Sequence, residues 1–287
     1  MRVGLVDVDS KMPNLALMKI SAYHKKQGNK VKFYQPLFDN PDVIYSSKIF
    51  DFTPDYQYYP NDVEIVKGGS GYNLNKKLDK EIEKQYPDYN LYDCDYAIGF
   101  TTRGCVRNCD FCIVPEKEGK IKAVNDIYDF WDGQEKLKLL DNNLTAHRKH
   151  FKLILNQLIK ENIKTDFSQG LDIRLIKPEQ AELLSKVKLW GQIHFAFDHI
   201  DDEKAVRKGI DILVENGVKK YKLMFYVLIG FDSTPEEDLY RVELLRDLGV
   251  DPFVMPYNKS DDYQRKFARW VNHKAIFKTV KWQDYRR

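Results

Sequence analysis

Short apolar runs alternate along the chain with stretches whose apolar residues fall at helical spacing, and the alternation begins at the N-terminus. Residues 2–7 (Arg-Val-Gly-Leu-Val-Asp) read as a buried strand. The stretch 14–27, with apolar Leu15, Leu17, Met18, Ala22 and Tyr23, reads as a helix stopped by Gly28. A strand at 31–34 completes a βαβ pattern, and the runs at 43–45 and 63–66 extend the same sheet. The pattern predicts a small Rossmann-like domain over residues 1–75, followed by a polar, tyrosine-rich linker over 76–94.

From Asp95 the pattern becomes regular. Strands are predicted at 96–100, 137–140, 165–168, 193–197, 221–229 and 253–255. Helices are predicted at 124–131, 144–161, 179–186, 202–216 and 235–248. Pro178 and Pro235 stand near helix starts, and Gly217 and Gly249 stand just past helix ends. Each strand but the last is followed by a helix, so the predicted class is α/β, a partial (β/α)6 TIM-like barrel over residues 95–258. Residues 259–287 form a C-terminal extension.

Composition narrows the class without naming a partner. At 287 residues, 43% hydrophobic and 31% charged, the chain is long enough for a full core and has an ordinary soluble balance. No apolar run approaches bilayer length, and the start, Met1-Arg2-Val3-Gly4-Leu5-Val6-Asp7, is too short in apolar residues for a signal peptide. A cytoplasmic location and no membrane partner are expected. The net charge of +3 is small for the length and does not announce nucleic acid.

The cysteines change the picture. Three of the four lie in Cys105-Val106-Arg107-Asn108-Cys109-Asp110-Phe111-Cys112, a C-x3-C-x2-C spacing that makes a disulfide framework improbable. Thiolates are the soft ligands of iron-sulfur clusters, and a four-iron cubane normally takes four. Three thiolates leave one iron open to a reactant. A structural zinc knuckle is the competing reading. Zinc wants a closed shell of four, and no cysteine or histidine lies between Cys112 and His147 to complete it. Cys94 begins the strand that ends near the loop, roughly six residues or about 20 Å away, too far to be a ligand.

The spacing, with aromatic Phe111 just before the last cysteine, resembles the signature loop of the radical S-adenosylmethionine (SAM) enzymes. The resemblance covers about residues 95–258 and implies that Cys105, Cys109 and Cys112 hold a [4Fe-4S] cluster. It implies that SAM chelates the open iron and is cleaved reductively to a 5'-deoxyadenosyl radical, which abstracts hydrogen from a substrate. A partial barrel is the family's core fold, and an external one-electron reductant such as flavodoxin or ferredoxin is implied. With no second cysteine group, resemblance to methylthiotransferases, or to enzymes with extra C-terminal clusters, is limited to the shared core.

Working residues of parallel α/β barrels lie at the C-terminal strand ends. Asp141 and Asn142 follow the second strand, where the family often carries Gly-Gly-Glu against the SAM amino group, and they are plausible substitutes; Asn143 is read as a helix cap or a site residue. At the third strand end, Arg174 can pair with the SAM carboxylate, and Gln169 or Asp172 can accept from ribose hydroxyls, with an Asp172–Arg174 salt bridge as the structural alternative. Asp198, at the fourth, positions SAM or substrate. Val227 and Ile229 resemble the family's adenine-packing segment, Met255 ends the sixth strand, where backbone groups read adenine, and Phe111 is the better ring contact.

In some radical SAM subfamilies an N-terminal domain of this shape binds cobalamin through an Asp-x-His-x-x-Gly loop. Asp7-Val8-Asp9-Ser10-Lys11-Met12 has no histidine, so the domain resembles a degenerate cobalamin domain that serves as scaffold or substrate lid. Gly68-Gly69-Ser70-Gly71 reads as a turn more readily than as a phosphate cradle. The extension interleaves Arg265, Lys266, Arg269, Lys274, Lys278, Lys281, Arg286 and Arg287, the last outside the described residues, with Phe267, Trp270, Phe277, Trp282 and Tyr285. Such a segment either packs its rings over the barrel or binds nucleic acid, and packing is preferred. The resulting expectation is a radical SAM enzyme whose substrate, a nucleotide, nucleic acid or peptide among the options, the sequence does not choose. The alternative is a non-catalytic cluster- or zinc-containing nucleic-acid-binding protein.

Overall fold

The computed structural model describes residues 1–286 and divides into two compact units, one of residues 1–99 with 128–134, the other of residues 100–127 with the chain from Glu135 onward. The first holds strands β1 (Arg2–Asp7), β2 (Lys30–Phe33), β3 (Val43–Ser47), β4 (Glu64–Gly68) and β5 (Tyr96–Gly99), and helices α1 (Leu15–Lys26) and α2 (Lys80–Glu83). Four of these strands form a parallel sheet of order β2-β1-β3-β4. Asn14 caps α1 by accepting from the N–H groups of Ala16 and Leu17, and Gly28, at φ +78°, ends it. Val3, Leu5, Leu17, Ile20, Val43 and Ile82 form the core. Gly99 lies against Phe130, whose ring a Cβ would meet at 2.5 Å, and Tyr89 Oη donates to Phe130 O at 2.5 Å.

The second unit runs β6 (Thr102–Arg103), α3 (Val114–Glu118), β7 (Lys122–Ala123), β8 (Lys136–Leu139), α4 (Arg148–Lys160), β9 (Lys164–Phe167), α5 (Pro178–Lys186), β10 (Ile193–Ala196), α6 (Glu203–Glu215), β11 (Leu223–Ile229), α7 (Pro235–Asp247) and β12 (Asp251–Pro256). Helices α8 (Asp262–Asn272) and α9 (Lys274–Thr279) follow. Strands β8 and β9 pair in parallel, as do β10, β11 and β12. Thr165 bridges to Leu189, and Leu171 N–H donates to His194 O at 2.8 Å, joining the two groups. The result is mixed α/β with parallel sheets, as the alternation predicts.

Period-two alternation decides which strand face is sealed. In β11, Leu223, Phe225, Val227 and Ile229 are fully buried, while Met224, Tyr226 and Leu228 are half-buried. On the sealed side Gly209 of α6 approaches Ile173 so closely that a Cβ would lie 2.4 Å from its side chain. Helix α7 starts with a capping box, Thr234 with Glu237, and Pro235 in the first turn.

Two predicted helices differ. No α-helix forms over 124–131: the N–H of Val124 and that of Asn125 donate to Thr101 O (2.9 and 3.3 Å) and Asn125 Nδ2 donates to Phe100 O at 3.0 Å, and only a 3-10 turn at Ile127–Asp129 follows. The helix predicted from 144 is broken at His147, with a 3-10 turn at Leu144–Ala146 before α4. The linker expected to be irregular contains the one-turn helix α2. The C-terminal rings pack as preferred: Phe267, Trp270 and Phe277 are buried, and Trp282 lies 5.0 Å from the Phe267 ring and 5.4 Å from Trp270. No helix among the described residues is long and apolar enough to cross a membrane.

Candidate functional site

The cysteine loop is pinched shut at its base. β6 pairs with β7 in antiparallel register, and Cys105 N–H donates to Gly119 O at 3.1 Å. Gly104 turns the chain at φ +84°, where a Cβ would lie 2.5 Å from the carbonyl oxygens of Gly119 and Lys120, so the position admits only glycine. Arg103 pairs with Glu118 at 2.9 Å and lies over the Phe100 ring.

Asp141, at the end of β8, anchors this loop from below. Its buried carboxylate accepts from the backbone N–H of Thr101 (3.1 Å) and from the hydroxyls of Thr101 (2.7 Å) and Thr102 (2.6 Å), as well as from Thr102 N–H. Burial pushes its pKa up, against the pull of these donors. Most of these bonds fall on Oδ1, so Asp141 positions the cysteine loop through Thr101 and Thr102.

A second network surrounds Cys105. Its sulfur accepts from Arg107 N–H (3.3 Å) and from Asn143 Nδ2 (3.4 Å), and the same Asn143 amide reaches Asp172 Oδ2 at 3.4 Å. Asp172 also accepts from Arg107 Nε (3.0 Å) and Arg174 Nε (2.8 Å), and Arg174 turns its Nη1 to Asp202 at 2.8 Å. Burial pushes the Asp172 carboxyl up, but Arg174 and Arg107 outweigh it and hold the group below its ordinary value. The salt-bridge alternative for Asp172 and Arg174 is therefore present. Thr145 closes the network, donating to Asn143 Oδ1 at 2.8 Å and accepting from Asp172 N–H at 2.9 Å. Asn143 makes no capping bond. Of the two readings the sequence left open for Asn143, the side chain takes the site and not the cap; Arg107 and Thr145 were not singled out by sequence, and Arg107's place inside the cysteine motif was the available signal.

The remaining predicted residues divide by access. Phe111 packs edge-on against Phe231 at 5.6 Å, and Phe231 against Tyr257 at 4.9 Å. Asp198 accepts from Leu228 N–H at 3.0 Å and burial pushes its pKa up; it lines a cavity of about 510 Å³ with Phe231, Ser233, Glu237 and Arg241 at the ends of β10 and β11. Met255 and Gln169 are exposed, and the Asn142 Nδ2 atom is buried with no partner. Val227 and Ile229 share a face, as read, but it is the fully sealed one, so they have no surface to offer a ligand. Arg241, unremarked in the sequence, ties the strand ends together by donating to the carbonyls of Phe197, Asp198 and Leu228 while paired with buried Asp238 at 2.7 Å.

The donor set suits an iron-sulfur cluster. All three cysteines are free and half-buried. Burial, then Cys112, push the Cys109 thiol up while Arg174 pulls it down, so ionising this thiol as a ligand calls for a cation beside it. Among the described residues no group of three His, Cys, Asp or Glu side chains, the three cysteines included, is already gathered around one point.

No protein-family model matches the chain. Ribosomal protein uS12 methylthiotransferase RimO from Pseudomonas aeruginosa (strain UCBPP-PA14) is 26% identical over 116 residues, 37% of this chain and 24% of that protein. The RimO of Pseudomonas fluorescens (strain Pf0-1) is 25% identical over the same length. The match thus spans about a quarter of the length of these relatives. A radical S-adenosylmethionine methyltransferase, TsrM, from Kitasatospora setae, solved with cobalamin and a [4Fe-4S] cluster bound, shares the fold at TM-score 0.67 and 13% identity, over 89% of this chain and 74% of that one. In sequence and fold the chain resembles the radical SAM superfamily.

Proposed function

We propose that the protein is a radical SAM enzyme in which Cys105, Cys109 and Cys112 hold a [4Fe-4S] cluster and SAM occupies the strand ends beside it. The observation that carries the proposal is the trio of free, half-buried thiols on one closed loop, with Asn143 and Arg107 donating to the first. Bound there, the cluster and SAM would supply reductive cleavage to a 5'-deoxyadenosyl radical for hydrogen abstraction from a substrate not yet identified.

The chain's own residues hold and shape the site. Asp141 fixes the loop base through Thr101 and Thr102, and the Asp172–Arg174–Arg107 network fixes Asn143 against Cys105. Asn142 Nδ2 is a donor still in need of an acceptor, which a carboxylate satisfies. Phe111, Asp198, Gln169 and Met255 complete the set available to SAM or substrate, whereas Val227 and Ile229 only support β11. An external flavodoxin- or ferredoxin-like reductant and a cytoplasmic location belong to the same reading.

Cobalamin is outside it. Strand order in the first unit reverses at β1, where such sheets usually bind ligands, but Asn14 Nδ2 donates there to Ser47 (2.9 Å) and Ser10 (3.0 Å), and Tyr92 donates to Asp7 at 2.5 Å. The Gly69 turn is packed under the Lys48 carbonyl, which a Cβ at Gly69 would meet at 2.3 Å.

The test is anaerobic reconstitution with iron and sulfide, followed by electron paramagnetic resonance with and without SAM and a deoxyadenosine assay. A cubane signal perturbed by SAM, and deoxyadenosine lost in Cys109→Ala, are expected. A parent protein that takes up no cluster, or a Cys109→Ala variant with unchanged iron and signal, would overturn the proposal.

A further inference from the structure

The strands of the second unit carry a layer of titratable side chains on the face opposite their sealed core. Lys138 on β8, Asp166 on β9 and His194 on β10 are 16%, 13% and 17% exposed, and Tyr226 on β11 lies beside them, its ring 5.2 Å from the imidazole. Parallel barrels ordinarily fill this interior with branched apolar residues. A charged layer there is costly unless something uses it.

Two of its atoms have unmet capacity. Lys138 Nζ bonds Asp166 Oδ2, but Asp166 Oδ1 is buried without a hydrogen-bond partner. His194 Nδ1 stands 3.2 Å from Phe167 O, and a carbonyl only accepts, so Nδ1 carries the proton and Nε2 keeps its lone pair. Among the described residues nothing bonds Nε2. Tyr226 Oη donates to Ser168 O at 3.2 Å and does not compete for it.

We propose that this layer holds the reacting group of a polar substrate presenting an N–H or O–H, and that His194 Nε2 accepts its proton. The inference rests on the enzymatic reading above and adds to it a substrate-facing base. In the step, the substrate's N–H or O–H bond breaks and its electron pair stays on the heteroatom. The proton forms the Nε2–H bond of an imidazolium. Asp166, already paired with Lys138 through Oδ2, then faces the imidazolium with Oδ1, 3.9 Å from Nδ1. Burial holds the His194 pKa below the ordinary imidazole value, opposed by Asp166 and the Phe167 carbonyl and reinforced by Lys138 and, from α9, Lys274, so the resting ring is neutral at pH 7.

The test uses the full-length chain labelled with 15N-histidine, with no iron, sulfide or SAM, so it can fail while the cluster assay succeeds, and the reverse. The expected spectrum shows His194 as the neutral Nδ1–H tautomer at pH 7, with its titration moved to lower pH in Asp166→Asn. Diethyl pyrocarbonate, which acylates unprotonated imidazole nitrogen, is the accessibility probe. Peptide mapping is expected to find the adduct on His194 Nε2, formed more slowly as pH falls through the His194 titration, while His24, bonded to both Tyr45 and Asn29, resists. An Nε2–H tautomer, an imidazolium at pH 7, or an unmodified His194 beside a fully modified His199 would overturn the proposal. These readouts on the unmutated protein stand even if Asp166→Asn does not fold.

Discussion

The two units end their parallel strands in opposite ways. In the first, the polar groups at the carboxyl ends of β1 and β3 are spent on one another: Asn14, Ser10, Ser47, Asp7 and Tyr92 form one chain of hydrogen bonds, and Asp9 accepts from Ile49 N–H (2.7 Å) and Phe50 N–H (2.9 Å). In the second, every buried side-chain nitrogen or oxygen found without a partner among the described residues occurs, including those of Asn142, Asp166 and Arg241. Buried polar groups are nearly always bonded, so an unsatisfied one asks for a missing partner. Of these atoms Asn142 follows β8 and Asp166 lies within β9, while those of Gln180, Arg241 and Tyr285 lie off the strands, so the contrast at the strands comes down to Asn142 and Asp166.

The largest effect is expected where satisfaction and burial coincide in the second unit. Arg241→Ala would leave Asp238 as an uncompensated buried charge and free three strand-end carbonyls, a loss of about 3–5 kcal/mol. Urea unfolding measures it. A loss near the level of a surface substitution would mean that the strand ends near the cavity do not depend on this pair.

Asp141→Asn comes next. The amide keeps one acceptor oxygen but sets an NH2 donor where the other oxygen accepts from Thr101 N–H, at a cost of about 2–3 kcal/mol. Because Asp141 holds the cysteine loop, iron uptake on reconstitution should fall in this variant. Asn14→Ala sharpens the comparison: it removes a helix cap from the first unit, costs about 1–2 kcal/mol, and should leave iron uptake unchanged. Equal iron loss in both variants would dissolve the distinction between the two units.

Much of this was legible in the sequence because it depends on local rules. From β8 to β12 the strand and helix order followed from period and punctuation, whereas β6, α3 and β7 had no such signal, and α1 was bounded by Asn14 and Gly28 in the structure as in the pattern. The spacing of the cysteines pointed to their chemistry without any geometry. What was hidden depends on contacts distant in sequence. Nothing local says that Asp141 is consumed by threonines 40 residues away, or that Asn143 turns from capping to touch Cys105. The pairing of Val227 with Ile229 was readable, but which face is sealed depends on where the helices lie. The helix expected over 124–131 failed for the same reason, since Thr101 and Phe100 claim its backbone and Asn125.

The smallest effect appears only in acid and concerns the network around Cys105. Asp172 has its folded-state pKa held below the ordinary carboxylate value, with Arg174 and Arg107 outweighing burial, so its contribution to stability is fully present above the unfolded-state value near 3.9 and is lost as pH falls through the lower folded value. Asp141 and Asp198, raised by burial, act with the opposite sign: their contribution is fully present below the unfolded value and is lost as pH rises through their raised folded values. The net acid limb mixes the two. The difference between the parent and Asp172→Asn isolates the first, and it should shrink steadily as the pH is lowered from 5. A difference that stays constant to acid would mean that Asp172 matters through packing alone, and that the cations around Cys105 are held by Asp202 rather than by the carboxylate between them.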